Sequence, residues 1–214
     1  GDPRIIRALA DAGADIDKRD DETDATPLLI AVVQDAPEAV EELLMLGANV
    51  HARYEDHQSQ VIHYAAQFSS PEVIRLLLDG GADIESHDGL IQATPLIWAT
   101  IHNSLEAVLT LLEAGADANA AEVSSGAASL LLAVYQGEID KTRALIAAGA
   151  DVNTQERGGI TPLMLAVEAG DSDSARLLLQ AGADIHIQNS QGISALSFAE
   201  EYQPELLDIL LGSY

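Results

Sequence analysis

The chain of 214 residues carries 35 acidic against 10 basic side chains, a formal charge of −25, and no cysteine. Phosphate backbones and anionic lipid surfaces are bound by clustered Lys and Arg, so this balance argues against nucleic acid and membrane partners and favours a basic protein surface. Without thiols there are no disulfides and no thiolate chemistry. No apolar run reaches membrane-spanning length and no signal peptide is visible, which favours a soluble, cytoplasmic chain.

Taken in order, the chain repeats itself. Gly-Ala-Asp or Gly-Ala-Asn recurs at Gly13, Gly47, Gly81, Gly115, Gly149 and Gly182, with offsets of 34 residues four times and then 33. A fixed period of this size marks a stacked repeat array in which each copy contacts its neighbours. The expected organisation is one domain over 1–214: a half-repeat at 1–14, then repeats at 15–48, 49–82, 83–116, 117–150, 151–183 and 184–214.

The half-repeat reads as a lone helix and N-terminal cap, with Ile5, Ile6 and Leu9 apolar and Arg4, Arg7 and Asp11 on the wet face. The first repeat opens its first helix at Thr26-Pro27-Leu28, and its second at Pro37-Glu38. Threonine can accept an unpaired amide hydrogen of the first turn, and proline at the next position has no amide to satisfy. In the second repeat Gln60-Val61 replaces Thr-Pro, followed by His63 and Tyr64, with Ser70-Pro71-Glu72 starting the second helix. The third restores Thr94-Pro95-Leu96, whereas the fourth starts poorly at Ala128-Ser129. The fifth is the most regular, and the clearest stretch of the chain runs from Gly159 through Thr161-Pro162-Leu163 to Asp184. The sixth ends on Leu206-Leu207-Asp208-Ile209-Leu210-Leu211. A monomer is expected if those leucines turn inward; otherwise this last helix is the route to self-association.

The connecting loops vary most. Two residues before each first-helix cap stands Gly126, Gly159 or Gly192 in the last three repeats, but Asp24, Gln58 and Gln92 in the first three. The first four loops are also one residue longer, which predicts bulged or re-shaped turns there.

In all six copies an alanine follows the cap by five residues, and three copies keep Thr-Pro-Leu. With the glycine motif in phase over nearly the whole chain, the sequence resembles the ankyrin-repeat family. The resemblance implies an all-α solenoid of antiparallel helix pairs joined by β-hairpin-like finger loops. It also implies a non-enzymatic protein-binding module without cofactors, whose concave face is made by the first helices and the fingers. His63 matches the family's motif histidine, whose role is structural hydrogen bonding between neighbouring repeats. The alternative is a regulatory or targeting domain of a longer multidomain enzyme or effector.

At the family's variable positions stand Val33, Gln34, Gln67, Phe68, Ile101, His102, Tyr135, Gln136, Glu168 and Ala169. Core packing does not call for large apolar groups there, so Phe68, Ile101 and Tyr135 are the sharpest candidates. Tyr64 and Trp98 stand one turn earlier and read as half structural. In the loops Arg53, Tyr54, His57, His87, Leu90, Ile91 and Arg157 stand out, because aromatics and arginine dominate binding energy at interfaces. The competing reading of the loop residues is finger packing on finger.

No catalytic grouping is found. His51, His57 and His87 lie near Glu55, Asp56 and Asp88 in adjacent loops, the one arrangement that suggests a metal-dependent activity. Against it, the position four after each glycine runs Asp17, His51, Glu85, Asn119, Asn153, His186, a column of polar turn residues. No metal site is therefore assigned. The acidity has two readings: spread evenly it serves solubility, clustered on one face it steers a partner.

Overall fold

In the first, fifth and sixth repeats the first helix begins at a residue whose hydroxyl satisfies an opening amide. In the computed structural model, which describes residues 1–54, 58–102 and 104–212, Thr26 accepts from the amide of Leu29 at 3.2 Å and Thr161 from that of Met164 at 3.2 Å. Ser194 does the same for Ser197 at 3.1 Å. Thirteen α-helices form among the described residues, and the chain divides into two halves, 1–116 and 117–214.

The N-terminal half holds α1 (Pro3–Asp11), α2 (Pro27–Val33), α3 (Pro37–Met45), α4 (Val61–Phe68), α5 (Pro71–Asp79), α6 (Pro95–His102) and α7 (Leu105–Glu113). First helices pack in one layer, α2 on α4 on α6, and second helices in another, α1 on α3 on α5 on α7. The C-terminal half holds α8 (Ser129–Tyr135), α9 (Ile139–Ala147), α10 (Pro162–Glu168), α11 (Ser172–Gln180), α12 (Ala195–Tyr202), a 3₁₀ turn at Pro204–Leu206 and α13 (Leu207–Leu210). There α8, α10 and α12 form the first layer, and α9, α11 and α13 the second.

The core is built from the same positions in every copy. Ala31, Ala65, Ala99, Ala133, Ala166 and Ala199 are all buried, because a side chain of one carbon lets adjacent helices approach closely. Leu28, Ile62 and Leu96 in the first helices and Leu43, Leu77 and Leu111 in the second fill the N-terminal half. Each such side chain contributes roughly 1.5–3 kcal/mol by leaving water. Second helices stop at the repeat glycine, whose φ lies between 86° and 95° in all six copies. Only glycine enters that region without a steric penalty. The acid or amide two residues later then accepts the amide two further on, as Asp15 does for Asp17 at 3.0 Å and Asn49 for His51 at 3.0 Å.

The loops keep one backbone plan despite their different sequences. Asp24, Gln58 and Gln92 adopt φ of 56°, 53° and 57°, the left-handed region that Gly126, Gly159 and Gly192 also occupy. The extra residue of the longer loops lies in the tip. Asp20, Asp88 and Glu122 donate their amides to Ala25, Ala93 and Ala127, whereas the shorter tips close from Glu156 to Ile160 and from Asn189 to Ile193. In the second repeat the closure is a two-stranded ribbon, β1 (Arg53–Tyr54) antiparallel to β2 (Ser59–Gln60), with Arg53 opposite Gln60. The re-shaping is thus a longer tip on a conserved base.

Two ends differ from one another. At the C-terminal end Leu206, Ile209 and Leu210 are buried, whereas Leu207 is half-buried and Leu211 exposed. At the other end α1 buries no residue, and Ile5 and Leu9 stay more than half exposed. Its apolar face is therefore not the covered face the sequence suggested. Its packing on α3 is reinforced by Arg7, which ion-pairs with the buried Glu42 at 2.7 Å.

The fourth repeat lacks a side-chain cap: Ala128 has no side-chain acceptor for a first-turn amide, yet its φ and ψ of −83° and 161° match the −81° and 161° of Thr26. Ala128→Thr should therefore raise stability by about 1 kcal/mol. Urea unfolding checks this, and an unchanged or lower midpoint would show that the new hydroxyl finds no amide.

Candidate functional site

The largest departures from the repeat template converge in the N-terminal half. The last turns of α4 and α6 carry Gln67, Phe68, Ile101 and His102, and the third finger folds over beside them with Leu90 and Ile91. Together they line an open groove of about 380 Å³ whose floor is Tyr64, Trp98 and Asp88. Phe68 is 54% exposed and Leu90 67%, so the walls are apolar surface left in water. Trp98 and Tyr64 are 8% exposed and Asp88 2%.

Rings hold the floor together. Tyr54 meets Tyr64 edge to face at 5.7 Å, Tyr64 meets Trp98 at 5.9 Å, and Trp98 meets His102 at 6.1 Å. Edge-to-face packing suits aromatic quadrupoles and fixes ring orientation. The Trp98 Nε1–H donates to Asp88 Oδ2 at 2.8 Å. Asp88 Oδ1 accepts from the amides of Leu90 at 3.0 Å and Ile91 at 2.9 Å, so one carboxylate shapes both the finger tip and the indole. Desolvation pushes the Asp88 pKa up, but the hydrogen bonds from Trp98, Ile91 and Leu90 outweigh it, and the net shift is downward.

Behind the floor lies His63, fully buried. Its Nδ1 accepts from the Gln60 amide at 3.2 Å, which leaves the proton on Nε2 to donate to Ser86 O at 3.1 Å and Ala93 O at 3.2 Å. The imidazole so ties the second repeat to the loop of the third. Burial pushes its pKa below the ordinary value.

Family models decide the relationship: one described as "Ankyrin repeats (3 copies)" matches residues 51–122 and 125–214, and one described as "Ankyrin repeat" matches residues 23–55. The chain belongs to the ankyrin-repeat family. Among solved structures, the ankyrin repeat domain of Bcl-3, described as a unique member of the IkappaB protein family, is similar at TM-score 0.87 and 30% identity. That likeness covers 98% of this chain and 92% of the Bcl-3 chain. A search of the curated proteins gives no match. Ankyrin repeat domains generally bind proteins and are typically not catalytic.

Within this ankyrin fold the residues singled out from the sequence separate into three groups. Gln67, Phe68, Leu90, Ile91, Trp98, Ile101 and His102 meet in the groove. Tyr135, 75% exposed, and Gln136 close α8 in the C-terminal half. Of the remaining loop residues, Tyr54, Arg53 and Arg157 make contacts within the fold. Tyr54 is a correction: it is 3% exposed, and its hydroxyl shares a 2.7 Å hydrogen bond with that of Thr26, so it presents no surface to a partner. It takes the position that Asp20, Asp88 and Glu122 hold in other fingers, and an aromatic ring there turns into the core. Arg53 spends its guanidinium on Gln58 O at 2.6 Å and His87 O at 3.0 Å. Arg157 likewise donates to Val123 O. These arginines fasten finger to finger. His87 is exposed outside the groove lining, and His57 lies outside the described residues.

Asp88 completes the site without having been chosen for it, and Tyr64, read as half structural, joins it. The available signal was the Asp88-Gly89-Leu90-Ile91 tip, an acid that caps a turn under two apolar residues. Among the described residues no group of three or more His, Asp or Glu side chains is placed to hold a metal ion, and no helix is long and apolar enough to cross a membrane.

The histidine gives a signed pH dependence. Its folded pKa lies below the unfolded value of about 6.5, so on acidification the unfolded chain takes up the proton first and stability falls. Urea midpoints should therefore drop as the pH falls from about 7 through the unfolded value of about 6.5, the window opened by that downward shift. A His63→Gln chain, weaker at neutral pH, should lose less over the same window. Parallel losses in the two proteins would assign the effect elsewhere.

Proposed function

We propose that this chain is a non-enzymatic binding module that docks a basic protein on the groove between the α4 and α6 helix ends and the third finger; the exposed Tyr135 in the C-terminal half is a separate candidate contact. One observation carries the reading. Phe68 and Leu90 stand more than half exposed around a pre-formed aromatic floor, which is the composition of an interface centre and a poor choice for mere solubility. The charge of −25 supports the sign of the partner, because complementary fields raise association rates and reject acidic competitors.

The same ring and finger contacts that would be used in binding are already made in the free chain. Binding then orders few side chains, which keeps the entropic opposition to association low. Isolating binding proteins on the immobilised chain, then measuring affinity for Phe68→Ala, Tyr135→Ala and the double variant, tests the reading. Phe68→Ala is expected to weaken binding by roughly 2 kcal/mol or more with an unchanged melting temperature. A lowered melting temperature with unchanged affinity would make Phe68 part of the fold instead.

A further inference from the structure

The floor of the groove contains a charge that the protein does not neutralise. Asp88 is buried to within 2% of its surface and lines the groove. Three neutral N–H groups bind it, two on Oδ1 and the Trp98 indole on Oδ2. A carboxylate offers about four acceptor positions, so one on Oδ2 is left over. Among the described residues no Lys, Arg or His forms an ion pair with Asp88. The nearby finger arginines are committed elsewhere: Arg19 to Asp24 and the carbonyl oxygen of Arg53, and Arg53 to the carbonyl oxygens of Gln58 and His87. His63 uses both ring nitrogens, and burial keeps it neutral.

Around this carboxylate the lining is aromatic. Tyr64, Phe68, Trp98 and His102 all face the same space. Aromatic faces carry negative potential and attract a cation within about 6 Å, most strongly when water is displaced. A buried carboxylate is stabilised by an opposite charge, whereas an apolar occupant would seal it further from water with no such gain. Aliphatic contact alone would be served better by a floor without Asp88.

We propose that the groove is a cation-recognition subsite: an arginine or lysine side chain of the docking protein lies against the rings of Phe68 and Trp98, with its charge toward Asp88 Oδ2. Leu90 and Ile101 then cover the aliphatic stem and the neighbouring residues of that segment. This rests on the protein-docking reading above and adds which side chain the groove selects. The acidic character of the whole chain guides a basic partner toward the surface; Asp88 reads one residue of it.

The sole tryptophan of the sequence is Trp98, so its indole N–H is a unique NMR reporter in contact with the carboxylate. Three peptides serve as probes at low salt: acetyl-Leu-Arg-Leu-amide, the same peptide with norleucine for arginine, and the same with glutamate. The arginine peptide should shift the Trp98 indole resonance saturably and bind at least fivefold more tightly than the norleucine peptide, with no saturation by the glutamate peptide. Phe68→Leu keeps apolar area but removes the ring, and should weaken the arginine peptide about threefold while sparing the norleucine peptide. Asp88→Asn should abolish the preference for arginine. Because Asp88 also holds the Leu90 and Ile91 amides, Phe68→Leu decides the matter if the Asp88 variant does not fold. Equal binding of arginine and norleucine peptides would overturn the cation subsite and leave an apolar docking groove intact. Saturation by none of the three would overturn the subsite as well, and the docking reading would then stand or fall on the Phe68→Ala affinities for the captured protein.

Discussion

A helix pair of this length has apolar surface on both flanks and cannot cover it alone, so each repeat depends on the next copy to complete its core. Everything else in the two halves is arranged around that stacking. Because the period is constant, like positions face like positions. One alanine column permits the close approach, and a leucine or isoleucine column fills the space it creates. Polar residues obey the same rule. Asp17 accepts the Asn49 amide at 2.8 Å, Asn119 that of Asp151 at 2.7 Å, and Asn153 that of Asp184 at 2.8 Å. The fingers are laced similarly, Arg19 and Arg53 reaching the carbonyls of Arg53 and His87, and Gln155 that of Gln188. Each tie is worth only about 1 kcal/mol net, but each satisfies a backbone group that stacking would otherwise strand.

Stacking also explains where freedom is left for function. A residue on the inner flank of a helix meets its own copy in the next repeat, whereas the helix ends and the finger side chains outside the lacing contacts are not held to a counterpart. The fifth repeat uses that freedom for Glu168 and Ala169, both exposed and chemically bland. The second and third repeats use it for Phe68, Leu90 and Ile101, and place beneath them an aromatic floor braced by Asp88. The regular copy is scaffold; the irregular ones carry the groove.

Much of this was legible in the residues. The period placed every helix pair, and Thr26, Thr161 and Ser194 act as the caps their chemistry suggested. His63 bonds across repeats as its motif implied. Groove residues on α4 and α6 could be named because they fall at helix positions that the core does not require. The loops were harder for a physical reason: a loop side chain's fate depends on which neighbouring carbonyl it can reach, and sequence spacing does not contain that distance. Arg53 and Arg157 read as binding anchors, and their guanidinium groups bond to carbonyls of neighbouring fingers, as the competing reading of finger packing on finger had it. Tyr54 read as a binding residue because aromatics dominate interface energies, yet its ring pairs with Tyr64 and its hydroxyl with Thr26. Asp24, Gln58 and Gln92 suggested a different backbone, but hydrogen bonds and stacking hold them in the left-handed region that glycine fills elsewhere.

The central claim is that the second and third repeats, not the regular fifth, meet the partner. Amide hydrogen exchange of the chain alone and in complex with a captured binding protein measures this most directly. New protection is expected at residues 64–68, 88–91 and 98–102, with the fifth repeat at 151–183 unchanged. Protection confined to the second-helix layer, at α3, α5 and α9, with the groove residues exchanging as in the free chain, would contradict it.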